Sequence, residues 1–140
     1  MIIGLGIDVA DLSRFEFDAK RRERFARKVF TLEEMAHALR HRYAAPRLAG
    51  AFAAKEAARK AFGHAIPWRS VGVRHEASGR PFIELRGAAY ALVAARRIRR
   101  IHLSISHSRT SAIATVILES DDPAGGIIAA PAELAMEAAR

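Results

Sequence analysis

Asp8 and Glu56 are carboxylates from two distant parts of the chain, and Lys60 follows Glu56 by four residues. Carboxylates converging from separate elements suit a hard divalent cation such as Mg²⁺, which takes few protein ligands and fills its octahedron with water and phosphate oxygens. A lysine one helical turn beyond such a ligand adds positive charge for a phosphate leaving group. Metal, cation and positioning are the equipment of phosphoryl transfer, which needs no covalent nucleophile on the protein. A plainer reading stays open beside this one: Glu56 and Lys60 as an i, i+4 ion pair on a solvated face. His107, between Ser106 and Ser108, is likewise either a hydrogen-bonded core histidine or part of an anion-binding turn.

Each of these side chains needs an element to hold it. Leu48 to Gly63 is alanine-rich, contains no proline or β-branched residue and ends on a glycine suited to a helix terminus. Its spacing predicts a helix with Leu48, Phe52, Glu56 and Lys60 along one drifting stripe. A helix so apolar all round is buried on several sides, where unpaired charges are expensive. Met1 to Val9 alternates as a strand, and Gly4 and Gly6 leave room beside Asp8 for a close backbone or a ligand. From Asp11 to about Lys28 a helical region carries Arg14, Lys20, Arg21, Arg22, Arg24, Arg27 and Lys28. That face is either a solvated basic surface or a docking surface for an acidic partner, with Phe25 as its apolar anchor.

Thr31 and the acidic residues after it predict a second helix start, and that helix should stop before Pro46. Val71–His75 and Pro81–Leu85 read as a hairpin turning through Ser78-Gly79, and Gly87–Arg97 as a further helix that finishes in a run of arginines. Ile101–His107 and Ser111–Glu119 form a last pair of strands. The sum is an α+β domain, a small mainly antiparallel sheet packed on a long central helix.

At 140 residues and 51% hydrophobic content the chain is one globular domain. It has no cysteine, which excludes disulfides, cysteine zinc sites and thiol nucleophiles. The start lacks a basic leader and reaches Asp8 too soon for a signal peptide or membrane span, so a cytoplasmic protein with no membrane partner is expected. A net charge of +8 and a pI near 11.0 favour a polyanionic partner: nucleic acid, a phosphate-rich small molecule or an acidic protein. The composition shifts after Ser120, so residues 1–120 are expected to form the working domain and 121–140 a Pro/Gly/Ala-rich tail.

Four segments now align with one family. Gly4-Leu5-Gly6-Ile7-Asp8 with Arg14, Phe52 to Gly63, Ser78-Gly79-Arg80-Pro81 and Leu103 to Ser108 resemble, in order and spacing, the signatures of the holo-[acyl-carrier-protein] synthases, the small phosphopantetheinyl transferases. The resemblance implies transfer of 4′-phosphopantetheine from coenzyme A to a serine of apo acyl carrier protein, releasing adenosine 3′,5′-bisphosphate, in fatty acid biosynthesis. It makes Asp8 and Glu56 the Mg²⁺ ligands, and Lys60 the cation on the leaving bisphosphate. Gly79, Arg80, Pro81, Ser106, His107 and Ser108 would line the coenzyme A site, with His107 counted among the catalytic residues. Arg14, Arg21, Arg24 and Phe25 match the region that grips the acidic carrier. Glu56, Asp8 or a metal-bound water would serve as general base. The family also implies a homotrimer with sites between subunits.

One position departs from the pattern. Many relatives carry arginine before the phenylalanine of the central motif, where this chain has Ala51, and Arg47, one turn earlier, is the substitute within reach. Two other readings compete with the transferase: a basic nucleic-acid-binding module, and a non-catalytic relative that binds coenzyme A or a carrier. Few aromatics and no nucleic-acid-binding motif argue against nucleic acid as the partner.

Overall fold

A computed structural model describes residues 1–16 and 18–121. Its order is β1 (Ile2–Asp11), a 3₁₀ turn (Leu12–Phe15), α1 (Ala19–Val29), α2 (Leu32–Leu39), α3 (Ala45–Phe62) and a short 3₁₀ turn (Trp68–Ser70). β2 (Val71–His75), β3 (Pro81–Leu85), α4 (Ala88–Ala95), β4 (Ile98–His107) and β5 (Ser111–Ser120) follow. The α+β class holds, with every strand pair antiparallel. The strands form two sheets, a three-stranded one ordered β1-β5-β4 and the separate hairpin β2-β3.

α3 lies across the three-stranded sheet at backbone distance. A Cβ on Gly6 would stand 1.8 Å from the Ala57 carbonyl oxygen, and one on Gly4 would stand 2.3 Å from that of Ala61. The glycines of β1 therefore accommodate a helix rather than a ligand. The alanines of α3 complete the fit: Ala49, Ala53, Ala57 and Ala61 are buried against the sheet side, and Ala54 and Ala58 are buried as well. Gly63 ends the helix at φ +66°, and its N–H bonds back to the Arg59 and Lys60 carbonyls.

Several boundaries differ from expectation. α3 begins at Ala45, with Pro46 in its first turn, where a proline's missing N–H costs nothing. α2 ends at Leu39, before Pro46 as expected, and Pro46 itself lies at the start of α3. The basic segment is a 3₁₀ turn followed by a helix that Asp18 caps by accepting from the Arg21 N–H at 2.8 Å. α4 is shorter than predicted. Arg97 turns to φ +51°, Arg96 caps α3 instead by donating to the Phe62 carbonyl at 2.5 Å, and Arg99 and Arg100 belong to β4. Most of the 121–140 tail lies outside the described residues.

A buried ion pair ties three elements together. Lys55 Nζ donates to the two Glu34 carboxylate oxygens at 3.0 and 2.8 Å and to the Val71 carbonyl at 2.6 Å. Glu34 also accepts from the backbone N–H groups of Thr31 and Val73, both at 2.8 Å. The Glu34 N–H in turn donates to the Thr31 hydroxyl oxygen, which completes a capping box at the start of α2. Burial pushes the Lys55 ammonium below its ordinary pKa, and the Glu34 carboxylate opposes that push. Both side chains are essentially inaccessible. Removing one partner strands the other, so Glu34→Gln should lower unfolding free energy by about 3–5 kcal/mol in urea titration. Wild-type stability in that variant would show the pair to be dispensable.

Candidate functional site

Asp8 shares the α3-facing side of β1 with Gly6, since it pairs with buried Ala114 on β5. Gly6 abuts Ala57, the residue after Glu56, so Asp8 and Glu56 flank one crossing of strand and helix. The i, i+4 pairing of Glu56 with Lys60 does not form. Lys60 reaches across the crossing and donates to Asp8 Oδ1 at 2.9 Å and to the Ile7 carbonyl at 3.0 Å. Glu56 instead accepts from Arg59 at 3.1 Å, and the Arg59 guanidinium stacks over the Trp68 ring at 4.1 Å. The stripe Leu48-Phe52-Glu56-Lys60 runs from core to solvent, and the buried cation of α3 is its neighbour Lys55.

This crossing offers hard oxygen donors beside an ammonium. Two carboxylates fit the small protein share of a Mg²⁺ shell, with the remaining positions suited to water and phosphate oxygens. Among the described residues no group of three or more histidine, aspartate or glutamate side chains gathers as a metal site. Lys60 holds one Asp8 oxygen that a metal would have to share. Its side chain is 53% exposed against 16% for Asp8, so the lysine is the partner free to turn outward.

A cavity of about 320 Å³ opens at the N-terminal half of α3, between α2, the β2–β3 hairpin and the end of β4. Four of the expected coenzyme A residues line it: Arg47, Gly79, Pro81 and His107. Ala51 also lines it. His107 Nε2–H donates to the Pro46 carbonyl at 3.0 Å, and a Cβ on Gly50 would stand 2.8 Å from that nitrogen. The plain core reading of His107 fails, since the residue is exposed and sits at the cavity mouth.

The remaining expected residues lie elsewhere. Ser106 pairs with Ile113 on the opposite face of β4. Ser108 closes the β4–β5 turn by accepting from the N–H groups of Thr110 and Ser111 at 3.2 and 3.0 Å. Arg80 is exposed beside the cavity turn without lining it. Arg21 and Arg24 are exposed on α1, and the Arg14 guanidinium lies 5.3 Å over Phe52. Phe25 is half-buried, packed against Phe15 and Phe30 with centroids at 5.9 and 5.8 Å. Its ring is committed to the aromatic cluster, which leaves it little reach as a free-standing anchor.

Sequence reasoning missed a histidine cluster in the cavity wall. His37 and His75 stack with centroids 4.0 Å apart and planes 10° apart, and His41 packs edge-on to His37 at 5.3 Å. The i, i+4 spacing of His37 and His41 was a visible signal, but nothing local announces His75. Burial holds the His37 pKa down to about 4, helped by the charges of His75, His41, Arg40 and Arg47. His75 is lowered too, by burial and then by Arg47, Arg40 and His41.

The comparisons with known proteins define the class. The sequence profile of the 4′-phosphopantetheinyl transferase superfamily matches residues 4–116, and the chain belongs to that family. Within it the chain is similar to holo-[acyl-carrier-protein] synthases. It is 44% identical to that of Treponema denticola over 85% of this chain and 99% of the relative. It is 45% identical to that of Paramagnetospirillum magneticum over 86% and 98%. Among solved structures, the Neisseria meningitidis holo-[acyl-carrier-protein] synthase superposes with a TM-score of 0.77 at 32% identity, covering 86% of this chain and all of that one. The Bacillus anthracis synthase, in complex with CoA (3′,5′-ADP), gives a TM-score of 0.70 at 33% identity over 86% and 99%.

Acid should destabilise this region in the unliganded protein. Unfolded histidine binds a proton near pH 6.5, whereas folded His37 does so only near pH 4, so the unfolded state holds more protons across that window. Stability is full above pH 6.5 and falls as the pH drops towards 4. The melting temperature should decline from pH 7 to pH 5, and His37→Gln should flatten the decline. An equal slope in the variant would contradict the assignment.

Proposed function

We propose that the chain is a holo-[acyl-carrier-protein] synthase: it transfers 4′-phosphopantetheine from coenzyme A to a serine hydroxyl of apo acyl carrier protein and releases adenosine 3′,5′-bisphosphate. The observation that carries this reading is the coincidence of two sites on α3. Asp8, Glu56 and Lys60 surround its crossing with β1, and Arg47, Gly79, Pro81 and His107 frame a cavity at its other half. The serine oxygen attacks the pantetheine-side phosphorus of the pyrophosphate, and the bond from that phosphorus to the bridging oxygen breaks. Lys60 neutralises charge on the departing phosphate. Asp8 and Glu56 would hold Mg²⁺, which when bound would supply charge neutralisation at the pyrophosphate. Glu56 or Asp8 accepts the serine proton. A fatty-acid carrier protein in the cytoplasm is the acidic partner this reading assigns.

Incubation with apo carrier protein, coenzyme A and Mg²⁺ should raise the carrier's mass by one phosphopantetheine. Glu56→Gln should slow that shift by about 100-fold or more, the scale of losing a charge-stabilising or proton-accepting group. Chelation of Mg²⁺ should abolish it. Full activity in the variant, or an unchanged mass with a competent carrier, refutes the reading.

For the carrier, the basic face of α1 is the proposed grip. Arg14 is engaged over Phe52, so Arg21→Glu and Arg24→Glu are the cleaner variants. Each should raise KM for the carrier by about tenfold, as removal of an interfacial charge contact does, while KM for coenzyme A stays put. Equal effects on both substrates would sink the assignment.

The outer face of the three-stranded sheet supports the homotrimer. Leu5, Ile7 and Val9 are 64%, 57% and 55% exposed, and Ile113 beside Val9 is 42% exposed. An apolar face this continuous is out of place on a monomer, and further copies of the chain are the proposed cover. Ile7→Glu should convert trimer to monomer in sedimentation analysis. A wild-type protein that sediments as a monomer would overturn the proposal.

A further inference from the structure

His37, His41 and His75 have no part in the coenzyme A reading of their cavity, and the electrostatics there are one-sided. The cavity faces His37 from α2, His41 from the turn after α2, Arg47 from α3, His75 from β2 and His107 from β4, and the Arg40 charge acts on His37 and His75 from beside it. Arg80 stands beside it in the β2–β3 turn, where Glu76 is turned to the Ser78 hydroxyl at 3.3 Å. Among the described residues the one carboxylate in the lining is Glu34, and Lys55 with two backbone N–H groups consumes it. A metal is a poor occupant: His37 and His75 are stacked face to face rather than aimed at one point, and no metal-ligand group forms among the described residues. An anion is the natural occupant. Ala51, with its single methyl group, lines the wall and adds neither bulk nor charge to it.

We propose that His37, His41 and His75 join Arg47 as a proton-coupled phosphate subsite, which takes the phosphomonoester on the nucleotide end of the co-substrate in place of a fixed arginine charge. The inference rests on the coenzyme A reading of the cavity. In the unliganded cavity burial keeps His37 and His75, stacked at 4.0 Å, below their ordinary pKa, and the charges of Arg40 and Arg47 push the same way. An arriving dianion reverses that balance and draws a proton from solvent onto the cluster. Binding is then anion plus proton, with no covalent change. Affinity rises as the pH falls through the range between the free and bound imidazole pKa values. The phosphomonoester's own second ionisation, near pH 6, acts in the opposite sense, so the two effects are separable by direction.

Calorimetric titration of the intact protein tests this, with adenosine 3′,5′-bisphosphate against adenosine 5′-monophosphate at pH 6.5 and 8.0. Two buffers of different ionisation enthalpy report the proton count. The bisphosphate should bind about tenfold more tightly at pH 6.5, since one proton taken up gives up to tenfold per pH unit, with net proton uptake. The monophosphate should show neither effect. His75→Gln should remove most of the pH dependence, and His41→Gln, at an exposed position, should weaken it even if His75→Gln misfolds. Equal bisphosphate affinity at both pH values, the same slope for the monophosphate, or unchanged slopes in folded variants would overturn the proposal. Coenzyme A that binds and reacts without proton uptake defeats this inference alone. Failure to bind coenzyme A or the bisphosphate defeats the transferase reading with it.

Discussion

Backbone lies against backbone where α3 crosses β1, and there is no room between them for a single methyl group. That contact sets the geometry of everything polar nearby. Glycine on the strand and alanine on the helix let the two chains approach closely enough for a lysine to span the crossing. Lys60 meets Asp8 from a residue 52 positions away because the sheet sits directly beneath its turn. A bulkier strand would lift the helix and separate the ammonium from the carboxylate. The small residues therefore act on the site without touching it, by fixing the distance at which its charges meet.

The second constraint is the fully satisfied Lys55–Glu34 pair. It occupies all three ammonium protons and fastens α2 and β2 to α3. Those are the walls that carry His37, His41 and His75. A buried pair of this kind is weak evidence of net stabilisation, because desolvation offsets much of the attraction. Its value here is positional: the α2 N-terminus and the start of β2 can take only one height along α3. It also takes the Glu34 carboxylate out of the cavity's electrostatics, leaving a wall of imidazoles and guanidinium. Adjacent residues of α3 thus point to opposite ends of the chemistry, Lys55 into the core and Glu56 toward Arg59 and Trp68.

The local signals in the sequence were read well for physical reasons. The Thr31–Glu34 capping box, the β2–β3 hairpin and the Gly63 helix stop each depend on a few neighbouring residues, and each stands where their chemistry puts it. The candidate residues Asp8, Glu56 and Lys60 were legible as polar groups in otherwise apolar elements. Their pairing was not. A helix that is apolar all round gives no preferred face, so periodicity could not tell that Lys55 goes inward and Lys60 outward. Phe25 stood out among cations in the sequence, yet its partners Phe15, Phe30 and Phe52 lie on other elements and draw it inward. The histidine cluster failed for the same reason, since His75 joins His37 only through the docking of a hairpin on α2.

Under the transfer reading, the resting ion pairs explain how such a site tolerates its own charges before substrate arrives. Asp8 is mostly shielded from water and Glu56 is half-buried, and bare carboxylates there would be costly. Lys60 and Arg59 neutralise them in the unliganded protein. Neither pair is locked: Lys60 is half-exposed, and Arg59 rests on the Trp68 ring as much as on Glu56. An incoming phosphate therefore exchanges one oxyanion for another on the same cation, which costs far less than stripping a solvated charge. The histidine cavity meets the matching problem at the other end of α3, where among the described residues the lining carboxylate, Glu34, is already taken by Lys55. There burial, helped by the neighbouring cations, keeps His37 and His75 low in charge, and in the proposed subsite an anion would call that charge up. The same helix thus presents two ways of storing positive charge, one by pairing and one by withheld protonation.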